Sequence, residues 1–562
     1  MQNARTRSVA LLVLAMILHC GDDASAPADG AIDGSMDGSG DASVGAPDAG
    51  IDAAERDDAV DAMAPDASMV VPCQDGTTVM TTEGEVTGDE EGELRVFRGI
   101  PFAAPPTGER RLRAPAPPEP RDAPLEADAF GAACAQPGGP SSEDCLFLNV
   151  WAHPSDTPRP VMVWIYGGGF ITGDSALPIY NGANLAEVGD VVVVSINYRL
   201  GILGGLALPE LQAEDPDGAA GNMALLDQIQ ALRWLQANLP AFGGDPNNVT
   251  IFGESAGAIS ACALLGAPAA DALFHKAIMQ SGNCASFPTL ERGPLGTDGG
   301  AFATGERFAE ALGCGDAEDR LACLRDLPTD AFLDALGIDA LLTGLLTADL
   351  TSPVVDGVVL PELPFERLAS GDAPDRPLLA GSNGNEGQLF TAADVVLTRG
   401  NFRELLREVL DEDTAAAVVD LYSLLEFPIA KDAYNAFIGE VLFNCNSYEA
   451  ARAVGGHYYL LMTAPAALST PYGPLHGADI FYVFDTFTSA ALIPGPRDLF
   501  LRSDIQTAWT SFARTGVPIF DGGWPTLDEG DEYLRFGALR TTTETEYRGG
   551  RCESLRELGV LP

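Results

Sequence analysis

Val249-Thr250-Ile251-Phe252-Gly253-Glu254-Ser255-Ala256-Gly257-Ala258 is the stretch that decides the fold. A short apolar strand runs straight into G-x-S-x-G, and Ala258 to Leu265 then reads as a helix. With 62 glycines in 562 residues the five-residue pattern alone says little. Its context says more: a serine at the apex of a strand-to-helix turn is a nucleophile elbow. The turn crowds the positions two residues either side, and glycine meets that need. The following helix directs its free N–H groups at the serine, where they favour developing negative charge.

The flanking sequence alternates strand and helix. Val161–Ile165 is an uninterrupted apolar run, and Val191–Ile196 is broken only by Ser195. Such runs indicate strands covered on both faces, hence a parallel sheet. Leu225, Ile229, Leu232 and Leu235 follow helical spacing, with Asn222 as the expected N-cap and Pro240 as the stop. Ala277–Gln280, Pro377–Gly381, His457–Leu461 and Ile480–Phe484 read as further strands.

A serine hydroxyl needs a base, and the base needs an acid to orient it. In such a fold they follow in the order Ser, Asp or Glu, His. Three histidines lie downstream of Ser255. His275 is too close, and His457 sits in an apolar strand run. His476, in the loop Gly473-Pro474-Leu475-His476-Gly477, is the expected base. Glu386, in the Gly-rich loop after Pro377–Gly381, is the candidate acid, with Asp356 and Asp479 as rivals.

These residues carry a resemblance. Phe97 to Ala103 with Arg111, Ser142 to Val150, Phe252 to Ala258, Gly384 to Gly387, His476 to Asp479 and Trp509 to Pro518 together resemble the type-B carboxylesterase family, which includes cholinesterases. The resemblance implies an α/β-hydrolase fold: a large, mostly parallel sheet flanked by helices, with a small N-terminal antiparallel sheet. It implies a serine carboxylesterase acting on small-molecule esters without a cofactor. Ser255, Glu386 and His476 resemble the triad, and Gly168, Gly169 and Ala256 the oxyanion-hole donors. The oxyanion segment opens on Tyr166 where other esterases often have His. Arg111 and Glu143 resemble a family ion pair. Cys134–Cys145, Cys314–Cys323 and Cys445–Cys552 resemble family disulfides. Cys73 and Cys284 are left as a possible pair, and Cys262 reads as a buried free thiol. Ten residues separate Cys134 from Cys145 and none is aromatic. A quaternary-ammonium cage needs aromatic faces there, so the expectation is no efficient choline-ester hydrolysis. The rival reading is a non-catalytic surface binding protein of the same fold.

The front of the chain is of another kind. Arg5 and Arg7 precede a short apolar run, Val9 to Leu18, which reads as an export signal over 1–20. Ile-Leu-His-Cys resembles a lipoprotein cleavage box, making Cys20 the expected acylation site, although His19 departs from the small residue usual there. Residues 21–72 are rich in Asp, Ala and Gly and read as a disordered linker. Thirteen acids and one arginine between Gly21 and Val70 give a net charge of −12. The expected product is an exported enzyme, tethered to a membrane through a lipid or otherwise secreted.

Length alone allows three or four domains. The motifs run without a break, so 73–562 is expected to be one catalytic domain. The whole chain carries 81 Asp+Glu against 32 Lys+Arg, a formal charge of −49. That excludes nucleic-acid binding through a cationic surface. Five scattered histidines without HExxH or CxxC give no reason to expect a metal.

Overall fold

The computed structural model describes residues 76–293, 299–336, 353–391, 397–407 and 409–561. The expected leader, Cys20, the linker and Cys73 lie outside the described residues, as do 337–352.

Seven parallel strands form the centre of an eleven-stranded sheet: β1 (Arg159–Ile165), β2 (Val192–Ile196), β3 (Gly244–Glu254), β4 (Lys276–Gln280), β5 (Leu378–Asn383), β6 (His457–Leu461) and β7 (Tyr533–Phe536). Their order across the sheet is β2-β1-β3-β4-β5-β6-β7. Antiparallel strands extend both edges: Phe147–Ala152, Leu94–Pro101 and Asp89–Glu91 beyond β2, and Thr541–Glu544 beyond β7. Every residue of β2, β4, β5 and β6 is buried, as strands covered on both faces require. The small separate sheet is mixed rather than wholly antiparallel. Thr78–Thr81 and Gly84–Thr87 form a hairpin, and Leu125–Glu126 joins it in parallel.

Four helices matter for the site: α1 (Met223–Asn238), α2 (Ala256–Gly266), α3 (Cys445–Ala453) and α4 (Pro496–Thr515). Asn222 directly precedes α1 but does not cap it with its side chain. Its amide exchanges two hydrogen bonds with the backbone of Val354, at 2.8 and 2.9 Å. Pro240 lies in a 3₁₀ turn, Leu239–Phe242, that closes α1.

Ile480–Phe484 is a short α-helix, not the expected strand. All five side chains are buried, and an apolar run of this length fits a buried helix turn as well as a strand. Asp485, in the left-handed region, ends it.

The three disulfides implied by the resemblance are present. A fourth corrects the sequence reading: Cys262 is bonded to Cys284, so it is not a free thiol, and Cys284 is not available to Cys73. Arg111 and Glu143 form a bidentate ion pair at 2.6 and 2.8 Å. A second, unexpected one joins Arg199 to a fully buried Asp227, both contacts at 2.7 Å.

Candidate active site

Ser255 stands where β3 gives way to α2. Its backbone has φ 55° and ψ −122°, a conformation L residues rarely adopt and one found where strain serves a site. Its N–H donates to the carbonyl of Gln280 at the end of β4, at 2.9 Å. The elbow glycines are obligatory on steric grounds. A Cβ on Gly253 would lie 2.5 Å from the carbonyl carbon of Gly257, and one on Gly257 would overlap the carbonyl oxygen of Ile165. The contacts crowd because α2 folds straight back over the end of β1.

The loop after β1 lies against Ser255. A Cβ on Gly167 would come within 3.0 Å of Ser255 Cβ. Gly168 and Gly169 have φ of 117° and 64°, open only to glycine at low cost. Among the described residues no acceptor takes the N–H of Gly168, Gly169 or Ala256. Tyr166 anchors the loop in place of the more usual His. Its hydroxyl donates to the carbonyl of Tyr198, the hydroxyl of Tyr198 donates back at 2.7 Å, and the rings stack at 4.5 Å. Gln136, inside the Cys134–Cys145 loop, braces the far end by donating to Gly173 O and accepting from Gly173 N, at 2.7 and 2.9 Å.

His476 does not sit on the loose loop its glycines suggest. A two-stranded ribbon, Ser469–Thr470 with Gly473–Pro474, braces the segment, and the imidazole is buried. Nδ1 is 2.6 Å from Glu386 Oε2. Phe443 lies against the ring at 4.4 Å between centroids, and Phe390 meets it edge-on at 5.1 Å. Nε2 is buried and has no hydrogen-bond partner, although Glu254 Oε1 is only 3.1 Å away. That short approach lacks hydrogen-bond alignment, which leaves the Nε2 lone pair open to a proton from another group.

Glu386 follows β5 on a 3₁₀ turn and is almost wholly buried. Its Oε1 accepts from Ser281 Oγ at 2.6 Å and from the Asn383 N–H. Asn383 also donates to Asp479 at 3.2 Å, and Tyr459 donates its hydroxyl to the same carboxyl. Asp479 is thus one layer behind Glu386. Asp356 is occupied elsewhere, accepting the N–H groups of Val358, Val359 and Leu360. The other two downstream histidines are also committed: His275 Nδ1 accepts from Val249 N–H, and His457 Nδ1 contacts Pro525 O. The structure therefore brings Glu386 and His476 into direct contact and sets His476 against Glu254, the neighbour of Ser255.

Glu254, Ser281, Asn383 and Gln136 were missed by sequence reasoning. Two of them left a signal. Glu254 is an acid at the end of a buried strand, and Gln280-Ser281-Gly282 is a polar triplet closing another.

Burial pushes Glu254 up to about 8. Burial would lower His476, but the carboxyl groups of Glu254, Glu386 and Asp479 outweigh it and raise the imidazole to about 9. Among the described residues no group of His, Cys, Asp and Glu could hold a metal ion.

The family model "Carboxylesterase family" matches residues 75–555. The chain is 36% identical to a fumonisin B1 esterase of Sphingopyxis macrogoltabida, over 82% of this chain and 86% of that protein. It is 35% identical to a para-nitrobenzyl esterase of Bacillus subtilis, over 80% of this chain and 92% of that one. A solved PNB esterase structure superposes with a TM-score of 0.74 at 34% identity, covering 86% of this chain and 99% of the other. With an α/β-hydrolase sheet, a strand-to-helix G-x-S-x-G turn and relatives that are esterases, the chain belongs to the carboxylesterase family and is a carboxylic ester hydrolase.

Proposed function

We propose that Ser255, His476 and Glu386 are the nucleophile, base and acid of this esterase, and that Gly168, Gly169 and Ala256 supply its oxyanion hole. His476 Nε2 takes the proton of Ser255 as its oxygen attacks the ester carbonyl. The tetrahedral oxyanion rests on the three free N–H groups. His476 then protonates the leaving alcohol, and water repeats the sequence on the acyl-enzyme. Glu386 keeps the imidazole in the tautomer that leaves Nε2 free. The observation that carries this reading is the His476 ring, held at Nδ1 and unpartnered at Nε2 beside the elbow. Ser255→Ala should reduce p-nitrophenyl butyrate hydrolysis to a trace; a variant that keeps substantial turnover overturns the assignment.

The preferred substrates are small esters without a quaternary ammonium group. The Cys134–Cys145 loop offers no aromatic face for such a cation. Butyrylthiocholine turned over as fast as an uncharged thioester of equal acyl length would contradict this.

The enzyme is exported, and Cys20 carries a lipid. The basic and apolar leader supports this, as do four disulfides, which suit an oxidising compartment. Mass spectrometry of the mature N-terminus tests it: a diacylglyceryl group on Cys20 is expected, and an unmodified Cys20 rejects it.

A further inference from the structure

We propose that the Cys262–Cys284 disulfide is a positioning element of the active site, an inference that rests on the triad reading above. Its two halves lie on the segments that carry the chemistry. Cys262 is in α2, the helix that starts directly after Ser255 and presents the Ala256 N–H. Cys284 follows β4 by four residues, in the segment that begins at Gln280 and Ser281.

That second segment touches both the nucleophile and the acid. Gln280 O accepts the Ser255 N–H at 2.9 Å, and Ser281 Oγ donates to Glu386 at 2.6 Å. Ser281 itself has φ 57°, a backbone state that persists only when its surroundings hold it. Gly282 follows, clasped by Ser447 Oγ, which accepts its N–H and donates to its carbonyl, both at 2.9 Å. The two segments are also pressed together: a Cβ on Gly282 would fall 2.9 Å from Ala258 Cβ.

The sulfur bridge therefore closes a small ring. It runs from Ser255 along α2 to Cys262, across to Cys284, back through Ser281 to Gln280, and by a hydrogen bond to Ser255. The start of α2 cannot slide or tilt without pulling on the residue that holds Glu386. Cys262 and Cys284 are fully buried, so the link lies inside the core. Of the four disulfides among the described residues, this one alone joins the nucleophile helix to the acid's hydrogen-bond donor. Cys314–Cys323 joins the loop after the helix Ala301–Ala311 to the helix Arg320–Asp326, and Cys445–Cys552 ties α3 to the helix Arg551–Glu557.

Misplacing reacting groups by about 1 Å costs roughly a hundredfold in rate. Relaxing the ring should cost part of that. The test compares the full-length wild type with C262A/C284A and the better-filled C262V/C284A, and with C314A/C323A as a control. Rates are measured well below the melting temperature and divided by sites titrated with an organophosphonate. The clamp predicts kcat per site down by about tenfold, with KM little changed and phosphonylation slowed in parallel. The control should lose stability but keep kcat per site. A folded C262A/C284A or C262V/C284A enzyme with wild-type kcat and labelling rate overturns the proposal. Failure of both to fold would make the bond a folding element and overturn it too. Neither result touches the triad, which stands or falls with Ser255→Ala.

Discussion

The imidazole of His476 is held at one nitrogen and open at the other: Nδ1 lies 2.6 Å from Glu386 Oε2, and Nε2 is buried without a hydrogen-bond partner. That asymmetry specifies the tautomer, with the proton on Nδ1. Glu386→Gln can satisfy the same position while offering its N–H₂ to the ring, which favours the wrong tautomer. Such a change should lower kcat by about 10⁴-fold with the fold intact. Steady-state kinetics with circular dichroism as a folding control check it, and a loss below tenfold would contradict the assigned role.

Ser281 acts one step further out. Its hydroxyl donates to the Glu386 oxygen that does not face His476. A hydrogen bond to a charged group is worth about 1.5–3 kcal/mol, or roughly ten- to a hundredfold in rate if it is all expressed in the transition state. Ser281→Ala should fall at or below the lower end of that range in kcat, with KM unchanged. A change confined to KM would place Ser281 in substrate binding instead.

Glu254 and His476 couple activity to pH. The base must be neutral, so kcat/KM should fall as pH is lowered. In Glu254→Gln the carboxylate that favours imidazolium is gone, burial weighs more heavily, and the acid limb should move to lower pH. An unmoved limb in a pH profile of kcat/KM would show that Glu254 is electrostatically silent. Stability falls for both groups as pH rises, the reverse of the trend in activity. Glu254 is raised from 4.5 to about 8, so its ionisation destabilises the fold progressively across that window. His476 is raised from 6.5 to about 9, so its contribution is full below 6.5 and lost as pH rises through 9. Glu254→Gln should therefore flatten the loss of stability between pH 4.5 and 8, as followed by thermal melts.

Gly257 has no room for a methyl group, because its Cβ would overlap the Ile165 carbonyl. Gly257→Ala must push α2 off β1 and take Ser255 with it. Overpacking typically costs about 1–3 kcal/mol, and the displaced elbow should also lose most of kcat. A variant with normal melting temperature and kcat would mean that the turn is looser than its contacts imply.

The strand-to-helix turn at Ser255 was legible in the sequence because its constraints are local. Glycines mark where backbone must approach backbone, as at Gly253 and Gly257, and short, largely apolar runs mark β1, β2 and the end of β3. Elimination singled out His476 because only three histidines follow Ser255, and that residue is the one set against Glu386. What escaped depends on contacts across the fold. Cys262 looks like a core thiol along its own helix; only the packing of α2 on the exit of β4 brings Cys284 to it. Ser281, Asn383 and Gln136 are ordinary polar residues until the sheet sets them against Glu386 and the oxyanion loop. Ile480–Phe484 is too short and too uniformly apolar for periodicity to separate helix from strand.

The central claim is that Ser255 is the nucleophile, activated by the His476–Glu386 pair. Its most direct measurement is intact-protein and peptide mass spectrometry after exposure to a fluorophosphonate. One adduct per folded chain, on the peptide containing Ser255, is predicted, with none in Ser255→Ala and strongly slowed labelling in His476→Ala. Absence of an adduct on the folded wild type, or its appearance on another residue, would contradict the account.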